Sequence, residues 1–169
     1  MAQYPGTAFQ WTGTGYNAQY NTSHSATIDD DDANLEGASD TNETVSINGG
    51  AFGATAGPGY TIDVSFTDTG GDSHVETFNF FNTGGNWYFV PEQGSEFTVG
   101  ATLGSYQSHT TSGWAYDSVT CFVRGTLIET KHGLVPVERL RAGDKILTRD
   151  GDFKSLCIPM NRKLCALEI

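Results

Sequence analysis

One stretch of the sequence reads CFVRGTLIETKHGLVPVERLRAGDKILTRDG and covers residues 121–151. Residues 126–130 alternate apolar and polar side chains, which is typical of a half-buried β-strand. A Lys-His-Gly turn and a second apolar run at 134–137 predict a hairpin, and residues 145–149 predict a third strand. The Asp-Gly pair at the end of the stretch favours another tight turn. The stretch therefore predicts an all-β module.

The charge of the chain changes sharply where this stretch begins. Residues 1–120 contain no Lys or Arg and 14 Asp or Glu, a formal charge of −14. Residues 121–169 contain 9 Lys or Arg and 6 Asp or Glu, a formal charge of +3. A segment without cations cannot replace the counterions of nucleic-acid phosphates, and it is repelled by anionic membrane surfaces. We therefore expect no nucleic-acid partner and a separate acidic domain over residues 1–118.

The acidic segment predicts an antiparallel β-sandwich. Residues 61–67 alternate strictly, residues 74–81 form a second apolar run, and the Asp-Thr-Gly-Gly-Asp link between them is a hairpin signal. No window shows the apolar spacing of a helix. Seven or more short strands separated by turn residues are typical of sandwiches and barrels. The other predicted strands are 9–12, 25–28, 43–47, 86–90 and 96–100.

An aromatic-rich core is predicted for this domain, and its first twenty residues, rich in Gly, Gln, Asn and Thr, are expected to be loosely ordered. The predicted core residues are Trp11, Ile28, Val45, Ile47, Phe52, Ile62, Val64, Phe66, Phe78, Phe80, Trp87, Phe89, Val99, Leu103 and Trp114.

One polar cluster in the acidic domain has residue types that suit a metal. It is a run of four carboxylates, Asp29, Asp30, Asp31 and Asp32. A hard cation such as Ca²⁺ relieves the repulsion of such groups with oxygen ligands. The run fails the EF-hand template, because Leu35 stands where Gly is required and Thr41 where Glu is required. Two interpretations remain, a solvated acidic loop, which we favour, and a Ca²⁺-binding loop of a β-sandwich.

The three cysteines, Cys121, Cys157 and Cys165, all lie in the last third of the chain. The acidic domain is therefore not a disulfide scaffold, and the cysteine spacing does not match a zinc site. No stretch approaches the roughly 18 apolar residues of a membrane span. The first residues lack the basic and apolar regions of a cleavable signal peptide. We expect a secreted or cell-surface protein that is exported by a non-classical route.

The stretch that begins at Cys121 resembles the N-terminal block of a Hint domain, the fold shared by Hedgehog C-terminal domains and inteins. It is most similar to the bacterial Hint subtype that follows an acidic, β-rich part. The resemblance covers about 31 of 169 residues and rests on C-F-x-x-G-T-x-I-x-T-x-x-G-x-x-P-V-E-x-L-x-x-G-D. It implies single-turnover autoproteolysis, in which Cys121 attacks the carbonyl of Thr120 and releases the N-terminal part. The protein is then its own substrate, and no cofactor is required.

Two further residues of the block, Thr126 and His132, are also assigned. Gly125 and Thr126 allow the backbone to bend near the thiol and supply a hydroxyl, so Thr126 joins Thr120 and Cys121 as a candidate catalytic residue. His132 is assigned to the hairpin turn rather than to the reaction.

The sequence also departs from the family. Residues 122–169 contain no Thr-x-x-His motif and no terminal His-Asn pair. We therefore predict a truncated, partial Hint domain over residues 119–154, followed by a non-family tail over 155–169, and we expect no efficient self-cleavage by this chain alone. The alternative function is a non-enzymatic extracellular binding or adhesion module, possible ligands being Ca²⁺ and carbohydrate, with an inert Hint remnant.

Overall fold

The computed structural model describes residues 2–12, 15–119, 122–123, 127–148, 151–156 and 166–167. The chain divides into two compact units, Met1–Thr120 and Cys121–Ile169, called unit 1 and unit 2 below. The predicted all-β fold, with an N-terminal β-sandwich, is confirmed, because the regular elements of the described residues are strands and two short 3₁₀ helices.

The elements of unit 1 are β1 (Ala2–Gln10), β2 (His24–Asp30), β3 (Asn34–Leu35), β4 (Thr44–Ile47), β5 (Gly53–Ala54), β6 (Tyr60–Thr67), β7 (Ser73–Thr83), β8 (Asn86–Pro91), β9 (Thr102–Thr110), β10 (Trp114–Ala115) and the 3₁₀ helix η1 (Tyr116–Ser118). Those of unit 2 are β11 (Phe122–Val123), β12 (Leu127–Thr130), β13 (Gly133–Pro136), the 3₁₀ helix η2 (Val137–Arg139), β14 (Lys145–Leu147), β15 (Phe153–Ser155) and β16 (Ala166–Leu167).

Strand β1 joins the two sheets of the sandwich. Eight strands follow one another in the order β5-β4-β2-β1-β8-β7-β6-β9. Residues Ala2 to Ala8 of β1 pair with β2, whereas Phe9 and Gln10 pair with β8. A strand that leaves one sheet and enters the next makes a corner of a sandwich. Two partners along one strand also explain why residues 2–10 form a strand, where the sequence predicts a loosely ordered segment.

Strands β7 and β8 carry apolar side chains on both faces, and each face belongs to a different core cluster. Phe78, Phe80 and Phe89 pack in one cluster, together with Phe9, Tyr20, Val64, Phe66, Phe97, Ala101 and Leu103. Phe81, Tyr88 and Val90 pack in the other, together with Ala8, Ala26, Ile28, Leu35, Val45, Trp114, Tyr116 and Val119. The predicted aromatic core is thus present, but Phe52 and Val99 are 45% and 49% exposed and do not belong to it.

One strand of unit 1 was placed wrongly from the sequence. Residues 96–100 are irregular, although Phe97 is buried in the aromatic cluster. The neighbouring strand β9, which pairs with β6, was missed. Most of the β9 side chains beyond Leu103 are polar and exposed, so this strand lacks the alternation by which strands are recognised.

Unit 2 contains a four-stranded sheet in the order β13-β12-β14-β15. The predicted hairpin is present as β12 and β13, and Gly133 adopts a φ of 99° at its turn. Pro136 lies in the edge strand β13, where its missing N–H is tolerated. Strand β15 adds a fourth strand to the three that the sequence predicted, and β11 pairs in parallel with β16.

We predict that Phe89→Ala destabilises unit 1 by about 3–5 kcal/mol, because a fully buried ring that contacts several other aromatic rings leaves a cavity. The control is Val75→Ala in β7, a side chain that is 63% exposed and should change the stability by less than about 0.5 kcal/mol. Urea unfolding followed by tryptophan fluorescence reports on unit 1 alone, since Trp11, Trp87 and Trp114 all lie there. Equal losses for the two variants would contradict the assigned core.

Candidate functional site

The residues predicted to carry the cleavage chemistry, Thr120, Cys121 and Thr126, lie outside the described residues. The chain immediately before them is described and firmly held in unit 1. Val119 is buried in the core cluster, and its N–H donates to the Tyr116 carbonyl at 3.1 Å. The bond predicted to be cleaved therefore begins one residue after Val119, which is held in place within unit 1.

Ser118 provides most of the hydrogen bonds at this point. Its carbonyl accepts the N–H of Gln93 at 2.7 Å, and its hydroxyl accepts a bond from the Asn79 amide at 3.2 Å. The same hydroxyl donates to the Ala115 carbonyl at 2.7 Å. Bonds to both the backbone and the side chain of Ser118 fix the path of the chain up to Val119.

On the other side of the junction, β11 directly follows Cys121 in the sequence and pairs with β16. The strand next to the candidate nucleophile thus takes its partner from residues 155–169. His132 lies in the turn between β12 and β13, where its N–H donates to Thr130 Oγ1 at 3.1 Å. Thr130 Oγ1 in turn donates to the Gly133 carbonyl at 2.7 Å, so this turn is hydrogen bonded as a unit.

A second candidate site lies at the acidic loop of unit 1. The structure brings three of the four predicted ligands together with two carboxylates that the sequence analysis did not include. One group contains Asp30, Asp31 and Asp40, the other Asp32, Glu36 and Asp40, and in each group one oxygen per residue lies within 4.8 Å of the others. Asp40 is common to both groups.

Asp29 belongs to neither of these groups. It pairs with Gln3 on one side and Thr44 on the other, and strand alternation directs its side chain away from the face that carries Asp30. The four aspartates of the run therefore do not share one face. Asp29 and Asp30 lie on opposite faces of β2, and Asp31 and Asp32 follow in the turn after it.

The loop carboxylates are positioned by bonds from nearby backbone N–H groups. Asp30 Oδ1 accepts the N–H of Asp31 at 2.8 Å, and Asp32 Oδ1 accepts that of Asn34 at 2.8 Å. Asp40 Oδ1 accepts the N–H of Asn42 at 2.9 Å. In each case one carboxylate oxygen orders its own loop, a local pattern typical of aspartate in turns.

Two carboxylates of this region, Asp30 and Glu43, are 0% exposed. Ile28 pairs with Val45 and Asp29 with Thr44, so Asp30 and Glu43 follow next on the face that Ile28 and Val45 turn to the core. Asp30 Oδ2 accepts the Tyr116 hydroxyl at 2.8 Å.

The Glu43 carboxylate is satisfied on one oxygen alone. Its Oε2 accepts the N–H groups of Glu36 at 2.8 Å and Gly37 at 2.7 Å. Its Oε1 is buried and has no hydrogen-bond partner among the described residues. An unpaired carboxylate oxygen in the interior is costly, because it has lost its hydration without replacement.

Burial and mutual repulsion control the titration of these groups. Burial raises the pKa of Glu43 from 4.5 to about 8, and the charges of Asp30 and Glu36 add to this against the two N–H bonds. Burial also raises the pKa of Asp30, an effect that the Tyr116 hydroxyl opposes. The pKa of Glu36 is raised by burial and then by Asp32, Asp30 and Asp40.

No side-chain cation of unit 1 can offset this charge except histidine, because residues 1–120 contain no Lys or Arg. His74 pairs with Asp68 at 3.0 Å, His24 bonds Asn48 and His109 bonds Tyr106. Within the described residues, the acidic cluster therefore has no ion pair.

Sequence reasoning missed Glu36, Asp40 and Glu43, although one signal for Glu43 was present. Residues 43–47 were predicted as a strand, and alternation places Glu43 on the same face as Val45 and Ile47. A carboxylate in the apolar row of a strand indicates a buried acid. Asp40 gave no such signal, because its approach to the aspartate run depends on how two loops fold.

The described residues contain no helix that is long and apolar enough to cross a membrane.

In comparisons with known proteins, residues 120–168 match the family model described as the Hint domain. The match includes residues 155–168, which the sequence interpretation treats as a tail, so the division at residue 154 stays a prediction. No curated protein shows significant similarity to the chain. Neither does any solved structure.

We predict that unit 1, freed of metal by EDTA, becomes less stable as the pH rises. The folded protein keeps a proton on Glu43 that the unfolded chain releases above pH 4.5, so stability is lost as the pH approaches about 8. The raised pKa values of Asp30 and Glu36 act in the same direction. The melting temperature of unit 1 should fall by roughly 5 °C or more between about pH 5.5 and 8.5.

The matched variant is Glu43→Gln, which keeps the shape and cannot ionise. It should remove more than half of the pH dependence, as measured by tryptophan fluorescence melting in EDTA. Asp72→Asn, an exposed acid in the β6–β7 turn, is the control and should leave the dependence unchanged. A flat profile in the unsubstituted protein would contradict the assigned burial of Glu43.

Proposed function

We propose that this chain, whose residues 120–168 match the Hint domain family model, is a self-processing protein in which Cys121 severs its own bond to Thr120. The proposal rests on the agreement between two boundaries, that of the family match and that of the compact units. The family match begins at Thr120, and the chain divides into compact units between Thr120 and Cys121. Cleavage at this bond would leave each unit whole.

The proposed reaction is an N-to-S acyl shift. The Cys121 thiolate attacks the Thr120 carbonyl carbon and forms a C–S bond. The C–N bond then breaks, and its electron pair remains on the Cys121 nitrogen, which takes up a proton and becomes a free amine. Water or a second thiol attacks the resulting thioester, and Cys121 Sγ leaves as thiolate. Hydrolysis gives residues 1–120 a new carboxylate at Thr120.

Two requirements follow from this chemistry. A free thiol is mostly protonated at neutral pH and must lose its proton to react. The tetrahedral intermediate carries an oxyanion, which is stabilised by hydrogen-bond donors placed where the charge develops. We assign the Thr126 hydroxyl to the hydrogen bonding of this site. The hydrogen bonds of Ser118 and Val119 support the proposal, because they hold the chain in place up to the residue before Thr120.

In this proposal unit 1 is the released part and functions outside the cell, secreted or at the cell surface. Its charge of −14, with no Lys or Arg, favours solubility. Proteolysis by a turnover enzyme is not required, since the protein is its own substrate and reacts once.

A second candidate function is that of a non-enzymatic, Ca²⁺-dependent extracellular binding or adhesion module with an inert Hint region. The acidic groups around Asp40 favour this candidate, because they are an oxygen-only donor set. The absence of a Thr-x-x-His motif from residues 122–169 also favours it.

We predict that incubation with excess dithiothreitol releases a fragment of residues 1–120 over hours to days, because the thiol traps a thioester that forms slowly. Intact-mass spectrometry of the purified full chain detects both the fragment and the complementary residues 121–169. Cys121→Ala should abolish cleavage completely.

Cys157→Ala and Cys165→Ala are the matched controls, since they remove a thiol from the same unit, and they should cleave as the unsubstituted chain does. Hydroxylamine in place of dithiothreitol should give a hydroxamate at Thr120, a mass that only a thioester or ester intermediate explains. A chain that stays intact under all of these conditions would overturn the proposal and leave the binding-module candidate.

A further inference from the structure

The acidic groups of unit 1 take no part in the proposed cleavage, and their arrangement indicates a function of its own. We propose that Asp30, Asp32, Glu36, Asp40 and Glu43 form a binding site for a hard divalent cation of the Ca²⁺ class. Asp40 is the shared ligand of the site, and Glu43 is its buried floor. This inference is independent of the processing reaction.

The acidic cluster alone would not distinguish a metal site from a solvated loop. Asp31 and Asp32 are exposed and consistent with either. Glu43 provides the independent observation, because it is 0% exposed and its Oε1 has no hydrogen-bond partner among the described residues. Its Oε2 accepts the backbone N–H groups of Glu36 at 2.8 Å and Gly37 at 2.7 Å, so the Glu43 carboxyl group lies against the chain that carries Glu36.

A solvated loop does not account for these buried groups. Water cannot reach a carboxylate with no exposed surface, so Asp30 and Glu43 must be compensated inside the protein. Asp30 has the Tyr116 hydroxyl and the N–H of Asp31. Glu43 has two N–H groups on one oxygen and lacks a donor for the other. A bound cation supplies the missing partner for Oε1.

A shared proton is the other way to lower the charge of this cluster. It would make Glu43 a neutral acid whose O–H needs an acceptor. Such a proton neutralises one carboxylate alone and leaves the repulsion among the other four in place. A cation contacts several oxygens at once and reduces the repulsion among all five carboxylates.

The chemistry of the donors selects the class of cation. All are carboxylate oxygens, which bind Ca²⁺, Mg²⁺ and Mn²⁺ in preference to zinc or copper. Ca²⁺ accepts about six to eight oxygens in flexible geometry, whereas Mg²⁺ demands a near-octahedral shell and keeps several waters. Carboxylates from the end of β2, the β2–β3 turn and the β3–β4 loop supply many oxygens with irregular spacing, which suits Ca²⁺.

The test uses the full chain carrying Cys121→Ala, so that cleavage cannot alter the sample. Tryptophan fluorescence melting is recorded in EDTA, in millimolar CaCl₂, in millimolar MgCl₂ and in NaCl of equal ionic strength. We expect Ca²⁺ at about 100-fold above its dissociation constant to raise the melting temperature of unit 1 by roughly 5–10 °C. Mg²⁺ should give a smaller shift, and NaCl almost none.

Two variants locate the site. Asp40→Asn removes the ligand common to both groups at a partly exposed position, so the protein should fold normally and lose at least half of the Ca²⁺ shift. Glu43→Gln should raise the melting temperature in EDTA, because it removes a buried carboxylate from a cluster of like charges, and should reduce the shift given by Ca²⁺. Asp72→Asn, outside the cluster, should keep the full shift.

Tb³⁺ provides a second readout that does not depend on folding stability. Tyr116 lies 2.8 Å from Asp30, so excitation of the tyrosine should sensitise emission from Tb³⁺ bound in the site. Excess Ca²⁺ should quench this emission by competition, and Asp40→Asn should weaken it. Equal melting temperatures in Ca²⁺ and EDTA, equal shifts from Ca²⁺ and NaCl, or an undiminished response in Asp40→Asn would each overturn the inference.

Discussion

The hydrogen bond from the Tyr116 hydroxyl to Asp30 Oδ2, at 2.8 Å, connects the two regions of unit 1 on which this account depends. Asp30 ends β2 within the acidic loop, and Tyr116 begins the last turn before the junction. The Tyr116 ring also stacks on Tyr4 with centroids 4.1 Å apart, and its N–H donates to the Ala33 carbonyl at 2.9 Å. The acidic loop therefore holds the segment that leads to Thr120.

The burial of these carboxylates is energetically costly, because unit 1 has no lysine or arginine to pair with them. Hydrogen-bond donors provide part of the compensation, namely the Tyr116 hydroxyl for Asp30 and two backbone N–H groups for Glu43. Such bonds reduce the desolvation cost of a charge without removing the repulsion between neighbouring acids. In our proposal, a cation bound to these groups stabilises unit 1 and orders the residues that lead to Thr120.

The sequence predicted the elements whose signals are local. Alternation gave β6 and β7, the Asp-Thr-Gly-Gly-Asp link gave their turn, and the block after Cys121 gave β12 and β13. The strand β9 was missed, because its exposed side chains are polar on both faces. Only one part of the acidic cluster was predicted from the sequence. The run of aspartates was evident, but Asp40 and Glu43 join it through the pairing of β2 with β4 and the loop before β4, and such contacts between distant segments leave little local trace.

Through Tyr116, the acidic loop is expected to order the end of unit 1. Hydrogen–deuterium exchange of the full chain carrying Cys121→Ala measures this ordering when residues 113–119 are compared in Ca²⁺ and in EDTA. We expect the Tyr116 and Val119 amides, which donate to the carbonyls of Ala33 and Tyr116, to exchange at least about tenfold more slowly with Ca²⁺. The β6–β7 hairpin should exchange with little change. Equal exchange of residues 113–119 in the two conditions would show that the acidic loop does not order this segment.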